Sequence, residues 1–384
     1  MKGYQFEDTQ GTFHLKKAEN ISYLYFPIAG EAGLKSSLTP NLGGDAKIDQ
    51  NTFLLEPVSA ENLVNNRNSR NFWCNVKGIG SWSLTGNAAE ALSKKFTEMQ
   101  DDSEVTAGFM WQKTTRESKK YQLRGEILSF IPVEKNVEVM LVTITNTGRM
   151  AQTVTPTAAI PLYGRSADNI RDHRHVTSLL HRIETTDIGV LVTPTLSFDE
   201  RGHQVNHMTY YCVGWSGNGE KPVDFYPTAE DFVGEGGNFE RPYAIVKNAE
   251  GVKAGTRIEG LEAVGGLHFS EVTLEPEEEC SYLIFTGITE DIQEIRNLSK
   301  TYTTREMVLE ELEKTKAYWQ EKVNVAYHTG DSDFNQFMHW VSFQPILRRI
   351  YGCSFLPHHD YGKGGRGWRD LWQDCLALLI MNPD

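Results

Sequence analysis

No run of roughly 18 consecutive apolar residues occurs in this chain, so no membrane-spanning helix is expected. The opening residues, Met1-Lys2-Gly3-Tyr4-Gln5-Phe6-Glu7, lack the apolar core of a secretory leader. Cysteine is scarce: Cys74, Cys212, Cys280, Cys353 and Cys375 form an odd, scattered set without a CxxC pair. That excludes a disulfide framework and a structural zinc site, and it reads as the reduced thiols of a cytoplasmic protein. Positive charge is in deficit, with 38 Lys and Arg against 51 Asp and Glu and a net charge of −13. Nucleic acid is therefore a poor partner, because binding a phosphate backbone needs clustered cations. A neutral or weakly charged ligand fits better. No P-loop or dinucleotide fingerprint is present, and neither Ser166 nor Ser354 lies in a G-x-S-x-G elbow. There is no low-complexity tract and no fixed-period repeat.

What the chain does have is length, apolar content and turns. Its 384 residues, 39 % apolar, suit two or three folded units, and 33 glycines with 14 prolines punctuate them heavily. Residues 1–288 read as strands. Val137, Val139 and Leu141 alternate with Glu138, Met140 and Val142 before an Asn146-Thr147-Gly148 turn. Residues 121–124, 189–192, 207–211 and 282–285 look alike, so a large antiparallel sandwich is predicted. One helical insert is predicted over 87–99. Near Thr289 the period changes. Ile292, Ile295 and Leu298 are helically spaced, Thr303 and Glu306 form a capping box, and Leu309, Leu312 and Trp319 continue a second helix. A third helix follows Asp331, with Pro345 expected to kink or divide it. The resulting division is a β domain over 1–288, a helical linker over 289–328 and the first helices of an all-α domain over 329–384.

The chemistry concentrates in Gly364-Gly365-Arg366-Gly367-Trp368-Arg369-Asp370-Leu371-Trp372-Gln373-Asp374, followed by apolar residues 375–381. A glycine-rich loop that enters a buried helix is predicted, with its polar first turn on a cavity. Asp370 and Asp374 stand four apart and share a helix face, and Arg369 and Gln373 share the neighbouring one. Carboxylates accept from sugar hydroxyls, guanidinium forks donate to them, and tryptophan faces cover the ring. The same residues could serve only as helix-dipole partners and structural ion pairs. Other clusters are weaker: His358-His359-Asp360 and Arg171-Asp172-His173-Arg174-His175 read as solvated loops, and Trp73 and Trp82 as sandwich core.

The stretch Arg369-Asp370-Leu371-Trp372-Gln373-Asp374 resembles the R-D-x-x-Q-D element of the cellobiose phosphorylase family, glycoside hydrolase family 94, formerly a glycosyltransferase family. Tyr23-Leu24-Tyr25-Phe26-Pro27, residues 33–45 and Asn71-Phe72-Trp73-Cys74 resemble that family as well. The resemblance implies a mainly β fold with C-terminal α structure: an N-terminal β-supersandwich, a helical linker and the start of an (α/α)6 barrel. It implies cleavage of a β-glucosidic di- or oligosaccharide by inorganic phosphate, with inversion, to α-glucose 1-phosphate. It implies no metal or organic cofactor, phosphate as co-substrate, a β-glucan-derived oligosaccharide as partner, and a homodimer. Asp370 takes the family's role of binding glucosyl hydroxyls. Arg369, Arg366, Gln373 and Asp374 complete the candidate substrate-binding set, with Arg366 substituting for a family arginine whose ungapped position is Gly364. A phosphate-binding arginine of the family aligns near Cys353, and reaching Arg348 or Arg349 instead would need a shifted loop. The family's general acid is expected beyond residue 384, so no catalytic residue is assigned and the chain reads as the N-terminal part of a longer enzyme. A noncatalytic carbohydrate-binding or dimerisation sandwich is the alternative, and a hydrolase related by architecture alone is a third reading.

Overall fold

The computed structural model describes residues 3–20, 24–58, 67–199, 202–352 and 367–383. Its strands pair antiparallel throughout the described residues. The largest sheet has eleven strands, with Leu123–Phe130, Val137–Asn146, Glu279–Thr289 and Thr209–Ser216 side by side at its middle. Their register is continuous: Ile127 faces Val142, and Leu141 faces Leu283. A six-stranded sheet is built around Gln152–Leu162, between Asn71–Val76 and Ala263–His268. A four-stranded sheet begins with the hairpin of Phe26–Ala29 and Lys35–Leu38.

The alternation in Val137–Asn146 suggests one wet face, yet all ten residues are buried. Met140, Val142 and Ile144 point between the sheets and join one core with Phe72, Ile160 and Leu267. Val137, Val139 and Leu141 point the other way, into a second core with Ile295, Leu298, Val308 and Leu312. The second face is dry because helices lie on it. The eight α-helices among the described residues are α1 (Ala89–Ser93), α2 (Arg174–Thr177), α3 (Ala229–Val233), α4 (Tyr243–Lys247), α5 (Ile292–Thr301), α6 (Arg305–Lys322), α7 (Ser332–Tyr351) and α8 (Trp368–Met381). The apolar stripes of α5 and α6 cover the large sheet, and the Trp215 indole donates to the Tyr302 carbonyl at 3.0 Å to pin their junction. The fold is thus mainly β, a sandwich followed by C-terminal helices.

Three local expectations change. The insert over 87–99 is helical only in α1. The Ser93 and Thr97 hydroxyls donate to the carbonyls of Glu90 and Lys94, and Phe96 turns left-handed at φ 65° with its N–H on the Gln100 side chain. The cap of α6 is Thr304, one residue later than Thr303, with extended φ −135° and ψ 163°. Glu306 closes on its own backbone N–H and on the Thr304 hydroxyl, contacts that hold its carboxyl below the usual range. Pro345 does not divide α7, which runs unbroken through it to Tyr351.

Helix α7 is tied to the β domain along its length. Near its start the Gln336 side chain accepts from the Gly11 N–H at 3.0 Å, and the Trp340 indole donates to the Gly11 carbonyl at 2.8 Å. Gly11 has φ +85°, and a Cβ there would stand 3.2 Å from the Phe109 ring, so this close approach requires glycine. Further on, Phe343, Ile346 and Leu347 share a core with Trp319 of α6 and with Ala29, Phe109 and Met110 of the β domain.

Candidate functional site

Helix α8 begins after Gly367, whose φ −57° and ψ 144° give an extended entry without a side-chain cap. Its wheel divides sharply. Asp374 and Met381 are buried and Leu378 packs on the core of α6 and α7. The opposite stripe, Trp368, Trp372, Leu376, Leu379 and Ile380, is exposed, with Ile380 80 % accessible. The apolar helix expected to be buried is therefore packed on one side only. Its far end is fixed by the Asn382 amide on the Lys322 carbonyl at 3.1 Å and by the Asn324 amide on the Met381 carbonyl.

The first turn places the candidate side chains as follows. Arg369 and Asp370 are exposed, and the guanidinium stands 3.4 Å from the carboxylate. Gln373 is exposed, on the Arg369 side of the helix as the four-residue spacing requires. Trp368 and Trp372 meet edge to face at 5.7 Å between ring centres, one turn apart. Asp374 differs from the others: it is 2 % exposed and receives a fork from Arg348, with Nε at 2.9 and 2.7 Å from its two oxygens and Nη2 at 2.6 Å from Oδ1. So Arg369, Asp370 and Gln373 form an open polar turn beside two indoles, and Asp374 anchors that turn from beneath. Arg366 lies outside the described residues, as do Cys353, Ser354 and the His358-His359-Asp360 cluster.

Arg348, which the sequence offers only as a phosphate-binding residue reached through a shifted loop, joins the site by pairing with Asp374, from the last turn of α7 to α8. A paired Arg348-Arg349 at a helix C-terminus was the available signal, since cations suit that end of the dipole. Arg349 does not reach the site. Its guanidinium grips both oxygens of Glu31, at 2.9 and 2.6 Å, and the Tyr318 hydroxyl donates to the same carboxylate at 2.9 Å. Burial alone would raise the Glu31 carboxyl, but these donors outweigh it and hold it below its usual range.

Elsewhere the sequence clusters resolve simply. His173 and His175 are exposed, with rings 5.6 Å apart. Trp73 and Trp82 are core, and the Ser166 hydroxyl is spent on the Phe198 carbonyl. The four described cysteines, Cys74, Cys212, Cys280 and Cys375, are free thiols. Among the described residues no group of three or more His, Cys, Asp or Glu is placed to hold a metal ion, and no helix is long and apolar enough to cross a membrane. Clefts of the β domain, one lined by Glu56, Arg67, Phe239 and Glu262 and another by Asn218, Glu271, Cys280 and Tyr282, do not touch α8.

Residues 57–305 match the model of the family described as "Glycosyl hydrolase 94, supersandwich domain". No curated protein matches the chain in sequence. Solved structures that align with the chain include a human-microbiome protein named as a kojibiose phosphorylase, at 9 % identity and TM-score 0.48, covering 90 % of this chain and 42 % of that one. A bacterial glucoamylase complexed with acarbose aligns at 9 % identity and TM-score 0.46, over 83 % of this chain and 40 % of its own. A family 92 α-mannosidase from Bacteroides thetaiotaomicron aligns at 12 % identity and TM-score 0.42, over 84 % and 38 %. The chain therefore spans less than half the length of each of these proteins.

Proposed function

This chain belongs to the glycosyl hydrolase 94 supersandwich family, and from that premise we propose that it takes part in phosphate-dependent cleavage of a β-glucosidic di- or oligosaccharide, with the first turn of α8 binding the glucosyl unit. The observation that carries the reading is the family match over 57–305, continued in the same chain by a helix that opens Arg369-Asp370 and follows with Gln373-Asp374.

In such a reaction phosphate is already a nucleophile, so one general acid suffices where an inverting hydrolase needs an acid and a base. The role proposed for Asp370 is to accept from glucosyl hydroxyls and hold the ring while the anomeric carbon inverts. Arg369 and Gln373 supply donors beside it, and Trp368 and Trp372 supply aromatic faces for the apolar side of a sugar. Oligosaccharide and inorganic phosphate are the proposed partners, a homodimer the proposed assembly, and no organic cofactor is invoked. The proton donor is not assigned to a residue of this chain.

Calorimetric titration with α-glucose 1-phosphate tests the reading. Losing a charged hydrogen bond costs about 1.5–3 kcal/mol, so Asp370→Asn should weaken binding by roughly 10- to 150-fold. The exposed position of Asp370 means that the thermal midpoint should stay within about 2 °C. Equal affinity of Asp370→Asn and the parent chain would remove the sugar-binding role.

A further inference from the structure

The last turn of α7 sends successive residues in different directions. Arg348 reaches α8 and grips buried Asp374. Arg349, about 100° further round the helix, grips Glu31 in the turn of the hairpin that joins Phe26–Ala29 to Lys35–Leu38. The Ile350 carbonyl accepts from the Lys35 ammonium at 2.9 Å. The buried Tyr351 hydroxyl lies 2.8 Å from the Ile28 carbonyl and 2.7 Å from the Ser36 carbonyl. Three of these four residues therefore contact one β-hairpin, and the fourth contacts the helix that carries Asp370.

Among Trp368 to Asp374, Asp374 is the one buried residue, and the six before it are exposed. The turn therefore has little apolar packing to set its rotation, and the Arg348 fork is its described anchor. A bidentate guanidinium–carboxylate pair fixes direction as well as distance. Asp370 sits one turn earlier on the same face, so rotating Asp374 rotates Asp370 with it.

We infer that Arg348 and Glu31 are positioning residues for the α8 turn: Arg348 sets the rotation of α8 through Asp374, and Glu31, through Arg349, sets where Arg348 stands. This rests on the reading of Asp370 as a sugar-binding group. It extends that reading by placing part of the site's control on a hairpin 318 positions away from Arg349 in sequence. Where a group positions substrate for reaction, a misplacement of about 1 Å can cost about 10²-fold in rate.

The test uses the 384-residue chain with Arg348→Met, Arg348→Lys, Glu31→Arg, Arg349→Glu and the swap Glu31→Arg/Arg349→Glu. Two readouts are taken: amide hydrogen exchange over residues 368–374, and affinity for α-glucose 1-phosphate. Arg348→Met should speed exchange of the turn and weaken affinity by about tenfold, and Glu31→Arg should do so by about threefold, in the range of coupled neighbours. Arg348→Lys should recover part of the loss, and the charge swap should return both readouts to within about twofold of the parent. Exchange of strands 137–146 and 279–289 should be unchanged in every variant, which separates a moved turn from a damaged fold. Unchanged exchange of the turn in both Arg348→Met and Glu31→Arg overturns the inference. So does a swap that recovers nothing. If Asp370→Asn weakens binding and Arg348→Met does not, positioning alone falls. If Asp370→Asn has no effect, the sugar reading falls with the positioning role built on it, while exchange still reports whether the turn is coupled to the hairpin.

Discussion

Arg70→Met should destabilise the β domain by about 3–5 kcal/mol, the cost of leaving one member of a buried ion pair without its partner. Arg70 and Glu138 are both 0 % exposed. The Arg70 guanidinium contacts both oxygens of Glu138 through Nε and Nη2 and donates to the Gly44 and Asp45 carbonyls at 2.8 and 3.3 Å. The Ser36 hydroxyl donates to Glu138 at 2.6 Å. One arginine thus joins the large sheet, through Glu138, to the four-stranded sheet and to the entry of strand Asn71–Val76. Removing it leaves a carboxylate buried between sheets with a single hydroxyl described beside it. Urea unfolding monitored on the β domain should show a lower midpoint with an unchanged slope. The double variant Arg70→Met/Glu138→Met should recover most of the loss, because the cost lies in the orphaned charge rather than in the absence of the pair. A loss below about 1 kcal/mol in Arg70→Met would show that water reaches the carboxylate and that the site is not dry.

The second large effect is a loss of stability in mild acid that runs through His181. This imidazole is fully buried. Its Nε2 faces the Arg165 Nε–H at 3.4 Å and so must accept, which leaves the proton on Nδ1, 3.2 Å from the Leu261 carbonyl. Burial first, and then the Arg165 charge, push its pKa down from 6.5 to about 3. A depressed histidine stays neutral in the folded protein while the unfolded chain takes up a proton below pH 6.5. Its contribution is therefore whole above that pH and is lost as pH falls from 6.5 toward about 3. Linkage then removes stability steadily as pH falls through that window, on the order of 3 kcal/mol by pH 4.5. His181→Gln keeps an acceptor and a donor but cannot titrate. The stability gap between parent and variant, measured by denaturant unfolding at pH 7 and pH 4.5, should shift against the parent by that amount. Identical pH slopes for the two proteins would show that His181 is not the group responsible.

Much of the architecture is legible in the sequence because it is local. Strand Val137–Asn146 was visible from β-branched and aliphatic residues ending at Asn146-Thr147-Gly148. The change of period near Thr289 coincides with the end of strand Glu279–Thr289 and the start of α5. The spacing of Asp370 to Asp374 and of Arg369 to Gln373 places each pair on its own side of α8, as a 3.6-residue period requires. Where local pattern and structure part, side chains compete with the backbone. At residues 94–100 hydroxyls and the Gln100 amide captured the groups that a longer helix would have used.

Glu138 shows the limit. In an alternating strand it reads as the wet side, and the wet side exists only if nothing covers it. Whether a position is buried depends on both layers that meet it, and here α5 and α6 close one face while the second sheet closes the other. The same holds for Asp374, whose period gives its face on α8 but not its partner on α7. It holds most strongly for Glu31 and Arg349. Composition, periodicity and turn chemistry determine which segments become strands or helices and which side chains share a face, because those depend on neighbours within a few residues. Tertiary packing alone decides which charges are desolvated and which ion pairs form, because a charge leaves water only when distant segments close over it and supply its counter-charge.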